Sequence, residues 1–167
     1  MNTQAPFQYP DGRPLYIGPE SDASEHLLDI MRELARKQLA NLEHRHILVV
    51  EDNENNSALI EDILDSIHMQ CHVVTNARDA IEHCRDNTPL MILMDIGLPE
   101  VDGLQLTAHL RDWPSLHNVP VIAVTAHSGD RMQARASAAG CNDFLAKPFV
   151  PKQLIEIVDR YSDMQPV

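Results

Sequence analysis

The sequence predicts an α/β fold: a doubly wound, five-stranded parallel sheet with a helical extension at its amino end. Three observations carry this. Continuous apolar runs recur along the chain, among them Ile47-Leu48-Val49-Val50 and Leu90-Met91-Ile92-Leu93-Met94, and strands so uniformly apolar are buried on both faces, as in a parallel sheet covered by helices. Stretches with apolar residues at helical spacing separate the runs, the alternation an α/β architecture requires. Each run ends at its carboxyl side on a polar group, and in open α/β sheets ligands bind outside those ends.

Taken in order, residues 1–21 are rich in Pro and Gly, with Phe7, Tyr9, Tyr16 and Ile17 interspersed, and read as an extended arm. Asp22, with Glu25 three residues later, matches a capping box and opens an amphipathic helix over residues 22–45. Its broad apolar stripe is Leu27, Leu28, Met31, Leu34, Ala35, Leu39 and Leu42, and a stripe of that size needs something to cover it. The candidates are a second copy of the chain, another protein or the domain that follows. A homodimer through Leu27, Leu28, Met31, Leu34 and Leu42 is expected, as a short bundle rather than a long zipper because the stripe is wider than a two-position seam. His44-Arg45-His46 reads as the end of this helix, its basic groups complementing the helix dipole, rather than as a metal site.

The folded domain is expected over residues 46–163, with 164–167 as a tail. Its first strand, Ile47 to Val50, runs into Glu51-Asp52. A helix follows in which Ile60, Ile63, Leu64 and Ile67 share a face, then another with Ala77, Ala80, Ile81 and Cys84. The run Leu90 to Met94 ends on Asp95. Between Gly103 and Arg111 the helical stripe is weaker; Val121 to Val124 then leads to Thr125. From Arg131 to Ala139 the stripe is mostly alanine, Phe144-Leu145-Ala146 leads to Lys147, and Leu154, Ile155, Val158 and Tyr161 line the last helix. Pro89, Pro114, Pro120 and Pro151 fall between these elements or at their starts, where proline is tolerated. Four strands are thereby assigned to residues, within five βα units read from His46 to about Tyr161.

If the strand ends converge, Glu51, Asp52 and Asp95 meet Lys147. Singly, the acidic pair fits an exposed turn, Asp95 a helix cap, Thr125 a strand residue and Lys147-Pro148 a loop. Together, three carboxylates and one ammonium suggest a phosphoryl-accepting Mg2+ site. A carboxylate attacking a phosphate meets charge repulsion, and a hard cation with oxygen ligands plus a lysine point charge offsets it.

Four segments, HILVVEDNENN (46–56), LMILMDIGLPEVDG (90–103), NVPVIAVTAH (118–127) and CNDFLAKPF (141–149), resemble the receiver domain of two-component response regulators. Each is weak alone; all four in this order are specific. The resemblance implies the flavodoxin-like receiver fold and a phosphoryl group taken by Asp95 from a histidine kinase or phosphotransfer protein. It further implies direct Mg2+ ligation by Asp52 and Asp95, ligation through water by Glu51 and a ligand from the backbone carbonyl of Gly97. Lys147 would contact the phosphoryl group, Thr125 would hydrogen-bond it, Phe144 would be the aromatic switch, and Pro148 would follow a cis peptide bond. Asn56 also matches a family position, though a capping or solvated role suits it equally. Gly97 and His127 depart from the commonest pattern at two positions that influence how fast water removes the phosphoryl group.

The net charge of -12 lies mostly beyond residue 45, which argues against nucleic acid as a partner and for partners with basic surfaces. Cys71, Cys84 and Cys141 show no CxxC spacing and suggest reduced thiols in the cytoplasm. No stretch approaches a membrane span or a signal sequence. With six residues after Tyr161, the expectation is a stand-alone response regulator, not an enzyme beyond its own phosphoryl transfer and autodephosphorylation. It would act by phosphorylation-dependent protein contacts, or as a relay intermediate or phosphate sink. Two other classes fare worse. An Asp-nucleophile phosphatase of the haloacid dehalogenase type needs an aspartate where Gly97 stands. A flavodoxin-like cofactor binder needs a Ser/Thr/Gly-rich phosphate loop where Glu51-Asp52-Asn53-Glu54 stands.

Overall fold

The computed structural model describes residues 27–35, 46–127 and 129–162. The chain divides into two units, residues 1–43 and 44–167. In the first, residues 27–35 are helical, with Leu27, Leu28, Met31 and Leu34 exposed. The extended arm, the capping box at Asp22 and Glu25, Leu39, Leu42, His44, Arg45 and the 164–167 tail lie outside the described residues.

The second unit alternates strand and helix: β1 (Ile47–Val50), α1 (Glu54–Ser66), β2 (Cys71–Val74), α2 (Ala77–Asp86), β3 (Met91–Asp95), α3 (Gly103–Arg111), β4 (Val121–Thr125), α4 (Asp130–Ala138), β5 (Asp143–Ala146) and α5 (Pro151–Ser162), with a 3-10 turn at Pro114–Leu116. The strands form one parallel sheet in the order β2-β1-β3-β4-β5. The expected five-stranded parallel sheet is therefore present. The strand without assigned residues is β2, at the edge, where Cys71, His72 and Val73 are only partly covered or exposed. Asp95 and Thr125 are the last residues of their strands.

Helices cover both faces because alternate side chains of each strand point to opposite sides. Ile47, Val49, Met91, Leu93, Ile122, Val124 and Leu145 meet Ile60, Ile63 and Leu64 of α1 and Leu154, Ile157 and Val158 of α5. On the other side Leu48, Val50, Ile92, Met94 and Val121 meet Ala80 and Cys84 of α2 and Leu106 and Leu110 of α3. A smaller cluster joins Leu104, Ala123 and Ala136 of α4, with Phe144 against it. Of the alanines of α4 only Ala136 is buried in this cluster.

Helix starts are capped by the residues that follow the strands. Asn53 accepts from the N–H groups of Asn55 and Asn56, Asn76 from Asp79, and Asp102 from Leu104, satisfying donors a helix cannot satisfy itself.

Candidate functional site

In this strand order the chain reverses its winding between β1 and β3, and the crevice outside their carboxyl ends is where α/β sheets bind ligands. Glu51 and Asp52 follow β1, and Asp95 closes β3. One oxygen from each of the three carboxylates can be chosen so that all lie within 4.8 Å of one another.

Lys147, following β5, reaches this group from two strands away. Its Nζ donates to Glu51 Oε2 at 2.6 Å and to Asp95 Oδ2 at 3.1 Å. Burial alone would lower its pKa, but the bonds to Glu51 and Asp95 outweigh it and the net shift is upward. The ammonium therefore keeps its charge, which two largely buried carboxylates require.

Glu51 is 1% exposed and both its oxygens are engaged: Oε1 accepts from the Asn56 side-chain amide at 3.1 Å and from the Asn53 N–H at 3.3 Å. Asn56, left open between two roles by the sequence, thus orients Glu51. Asn53 adds to this, and nothing in its sequence context beyond a capping residue type pointed to it. Asp52 is exposed. Asp95 is 7% exposed, and its Oδ1 accepts from the Gly97 N–H at 2.9 Å. Three carboxylates with hard oxygen donors suit a small divalent cation.

Gly103 fixes the backbone under Asp95. A Cβ there would stand 2.1 Å from the Asp95 carbonyl oxygen, and the Gly103 N–H donates to the Ile96 carbonyl at 3.1 Å. The start of α3 is thereby held directly against the strand end that carries the carboxylate. The sequence offered no signal for this contact except the glycine itself.

Thr125 is buried beside the site at the end of β4. Its Oγ1 accepts from the His127 N–H at 3.0 Å and donates to the His127 carbonyl at 3.2 Å, so its hydroxyl is engaged within its own loop and not with Asp95. Phe144, on β5 opposite Ala123, is half buried. The Lys147-Pro148 peptide is cis. Glu51, Asp52, Asp95 and Lys147 are brought together; Thr125 and Phe144 lie on the neighbouring strands without a bond to Asp95.

His46 leads directly into β1, and its ring lies against those of His83 and His72; the helix end read just before it lies outside the described residues. The three cysteines are free, and burial raises all three thiols, Cys84 to about 11, which leaves them protonated and poorly nucleophilic at neutral pH. No helix among the described residues is long and apolar enough to cross a membrane.

A family model described as the response regulator receiver domain matches residues 47–159. The polar-differentiation response regulator DivK of Brucella anthropi is 36% identical over 117 residues, covering 70% of this chain and 95% of that protein. Among solved structures, the receiver domain of a signal transduction histidine kinase from Syntrophus aciditrophicus is 32% identical, covers 72% of this chain and 91% of that one, and superposes with a TM-score of 0.67. The receiver domain of a sensor histidine kinase from Pseudomonas aeruginosa, solved with a magnesium ion coordinated in the active site cleft, is 34% identical. It covers 71% of this chain and 98% of that one at a TM-score of 0.67.

Proposed function

Since this chain belongs to the response regulator receiver family, we propose that it is a signalling phosphoprotein whose Asp95 accepts a phosphoryl group from a histidine kinase or phosphotransfer protein in a Mg2+-dependent reaction. The observation that carries this is the bridge from Lys147 to Glu51 and Asp95 beside an exposed third carboxylate, Asp52, at the β1/β3 crevice.

In this reading Asp52 and Asp95 would ligate Mg2+ directly, Glu51 would act through water, and the Gly97 carbonyl would complete the protein ligands. When bound, Mg2+ would supply positive charge against the negative charge of the incoming phosphate. Asp95 forms the new bond to phosphorus as the bond to the donor's imidazole nitrogen breaks, the electron pair staying on nitrogen. Lys147 exchanges part of its contact with the carboxylates for the phosphoryl oxygens. The product carries about two negative charges where the carboxylate carried one, a reason for the Thr125 hydroxyl to leave His127 and for the Phe144 ring to follow. Protein contacts that depend on that change transmit the signal.

A cytoplasmic, stand-alone protein fits this role; the DivK relative is nearly all receiver, as its 95% coverage indicates. Leu27, Leu28, Met31 and Leu34 are assigned to a homodimer contact.

The test uses a small phosphodonor such as acetyl phosphate, with and without Mg2+. Mass spectrometry should record a gain of about 80 Da for one phosphoryl group, on Asp95, only with Mg2+ and not in Asp95→Asn. Asp52→Ala should weaken Mg2+ binding and slow labelling severely, Glu51→Gln more mildly. Undiminished labelling of Asp95→Asn, or equal Mg2+ affinity in Asp52→Ala, would overturn the assignment.

A further inference from the structure

At the opposite end of the strands from Asp95, three imidazoles converge from three separate elements. His46 leads into β1, His72 is on β2 and His83 is in the last turn of α2. The Nε2 atoms of His46 and His83 are 2.7 Å apart, with ring centroids 4.8 Å apart and planes at 89°. His72 stacks on His83, centroids 4.3 Å apart and planes at 14°, and its centroid is 6.5 Å from that of His46.

Two imidazole nitrogens at that separation share one proton: one nitrogen donates and the other's lone pair accepts. The two Nε2 atoms thus face each other across that proton, and loss of the proton would leave two imidazole nitrogens side by side as candidate ligands for one metal ion. Zn–N bonds of about 2.0–2.1 Å hold two tetrahedral ligand nitrogens about 3.3 Å apart, so the pair, 2.7 Å apart, would open by roughly 0.6 Å and both rings would turn from each other toward the ion. His72 is exposed and stacks on His83, so it would have to swing off that stack to offer a third nitrogen. His46 and His83 are half exposed, which gives an ion access from solvent.

We propose that His46 and His83, joined by His72, bind one divalent transition-metal ion of the Zn2+ class, tying edge strand β2 and the end of α2 to the start of β1. The site is distinct in chemistry from the carboxylate crevice. Imidazole favours Zn2+, Ni2+ and Cu2+, whereas Mg2+ takes oxygen ligands, so the two ions should not compete. The chain's net charge of -12 attracts cations to either place. Three protein ligands leave a coordination position for water.

The experiment uses the full chain without an affinity tag, stripped of metal and saturated with Mg2+. Calorimetric titration with ZnCl2 should give one Zn2+ per chain, with affinity reduced at least tenfold in His46→Gln and in His83→Gln, less in His72→Gln, and unchanged in Asp52→Ala. Circular dichroism shows whether each variant folds, and the imidazole nitrogen NMR signals of His46 and His83 in the wild type should shift on adding Zn2+ whatever the variants do. Absence of Zn2+ binding by the wild type would overturn the proposal and leave a proton-sharing pair. So would unchanged affinity in a His46→Gln, His83→Gln double variant, or loss of Zn2+ in Asp52→Ala.

Discussion

Lys147 is the residue on which the acidic cluster depends, because its ammonium faces two carboxylates that are almost out of water. Lys147→Ala should slow phosphorylation of Asp95 on the order of 10²-fold, whereas Thr125→Ala, whose hydroxyl bonds only within its own loop, should still be labelled while amide exchange near Phe144 ceases to respond. Time courses of labelling and exchange separate the two. Gly103 is constrained by backbone and not by chemistry. Gly103→Ala drives a methyl into the Asp95 carbonyl and should cost about 1–3 kcal/mol in urea unfolding, with slower labelling because the carboxylate's own backbone moves. His83 carries a pH signature. Burial, then His72 and His46, lower its pKa from 6.5 to about 4, so between those values the unfolded chain binds a proton that the folded chain does not. Its contribution to stability is full above pH 6.5 and is lost as pH falls through that window. Urea titrations in chelator-containing buffer should show a shallower fall over this range in His83→Gln than in wild type.

Among the elements, α3 is the one that locks its neighbours. Its last residue, Arg111, donates to the carbonyls of Leu116 at 2.8 Å and Val119 at 2.7 Å through Nη1, to that of Gly140 at 2.9 Å through Nε, and to the Asn142 side chain at 2.7 Å through Nη2. One side chain thus fastens the approach to β4 and the turn into β5. Gly140 is part of the same fitting: its φ is +96°, and a Cβ would meet the Arg111 side chain at 2.8 Å. Arg111→Ala takes this donor from the Val119 and Gly140 carbonyls, whereas that of Leu116 keeps the Val119 N–H, and should destabilise the fold by about 2–3 kcal/mol in urea unfolding. Arg111→Lys should recover little, because one ammonium cannot span the same acceptors.

For the whole molecule, the question is what the apolar residues of the 27–35 helix meet. A stripe of Leu27, Leu28, Met31 and Leu34 repeated in two copies offers several large apolar side chains, each contributing roughly 1.5–3 kcal/mol when buried, enough to offset the cost of association. Light scattering should therefore report a dimer for the full chain and a monomer for Met31→Asp with Leu34→Asp, with Asp95 labelled equally in both. Deletion of residues 1–44 should likewise leave a monomer that is still labelled. A monomeric full chain, or a dimeric truncation, would assign the stripe to another partner. The acidic surface makes association with a basic partner salt-sensitive.

The sheet was legible in the chain because burial on both faces leaves a local mark. Ile47–Val50, Met91–Asp95 and Val121–Thr125 are nearly all apolar, and such runs with polar residues at their carboxyl ends require no knowledge of what they contact. Strand β2 escaped because an edge strand is covered on one side and its Cys71-His72-Val73-Val74 run is short and mixed. Glu51, Asp52, Asp95 and Lys147 were nameable as a set from their places at strand ends. Only the tertiary structure decided that Lys147 bridges Glu51 and Asp95, that Asn56 and Asn53 hold Glu51, and that the Thr125 hydroxyl turns to His127. Arg111, Gly103 and the His46, His72 and His83 cluster belong to the same class. Periodicity reports which face of an element is buried, whereas a bond between side chains far apart in sequence depends on how helices and strands are set against one another, and that is determined by packing across the whole domain.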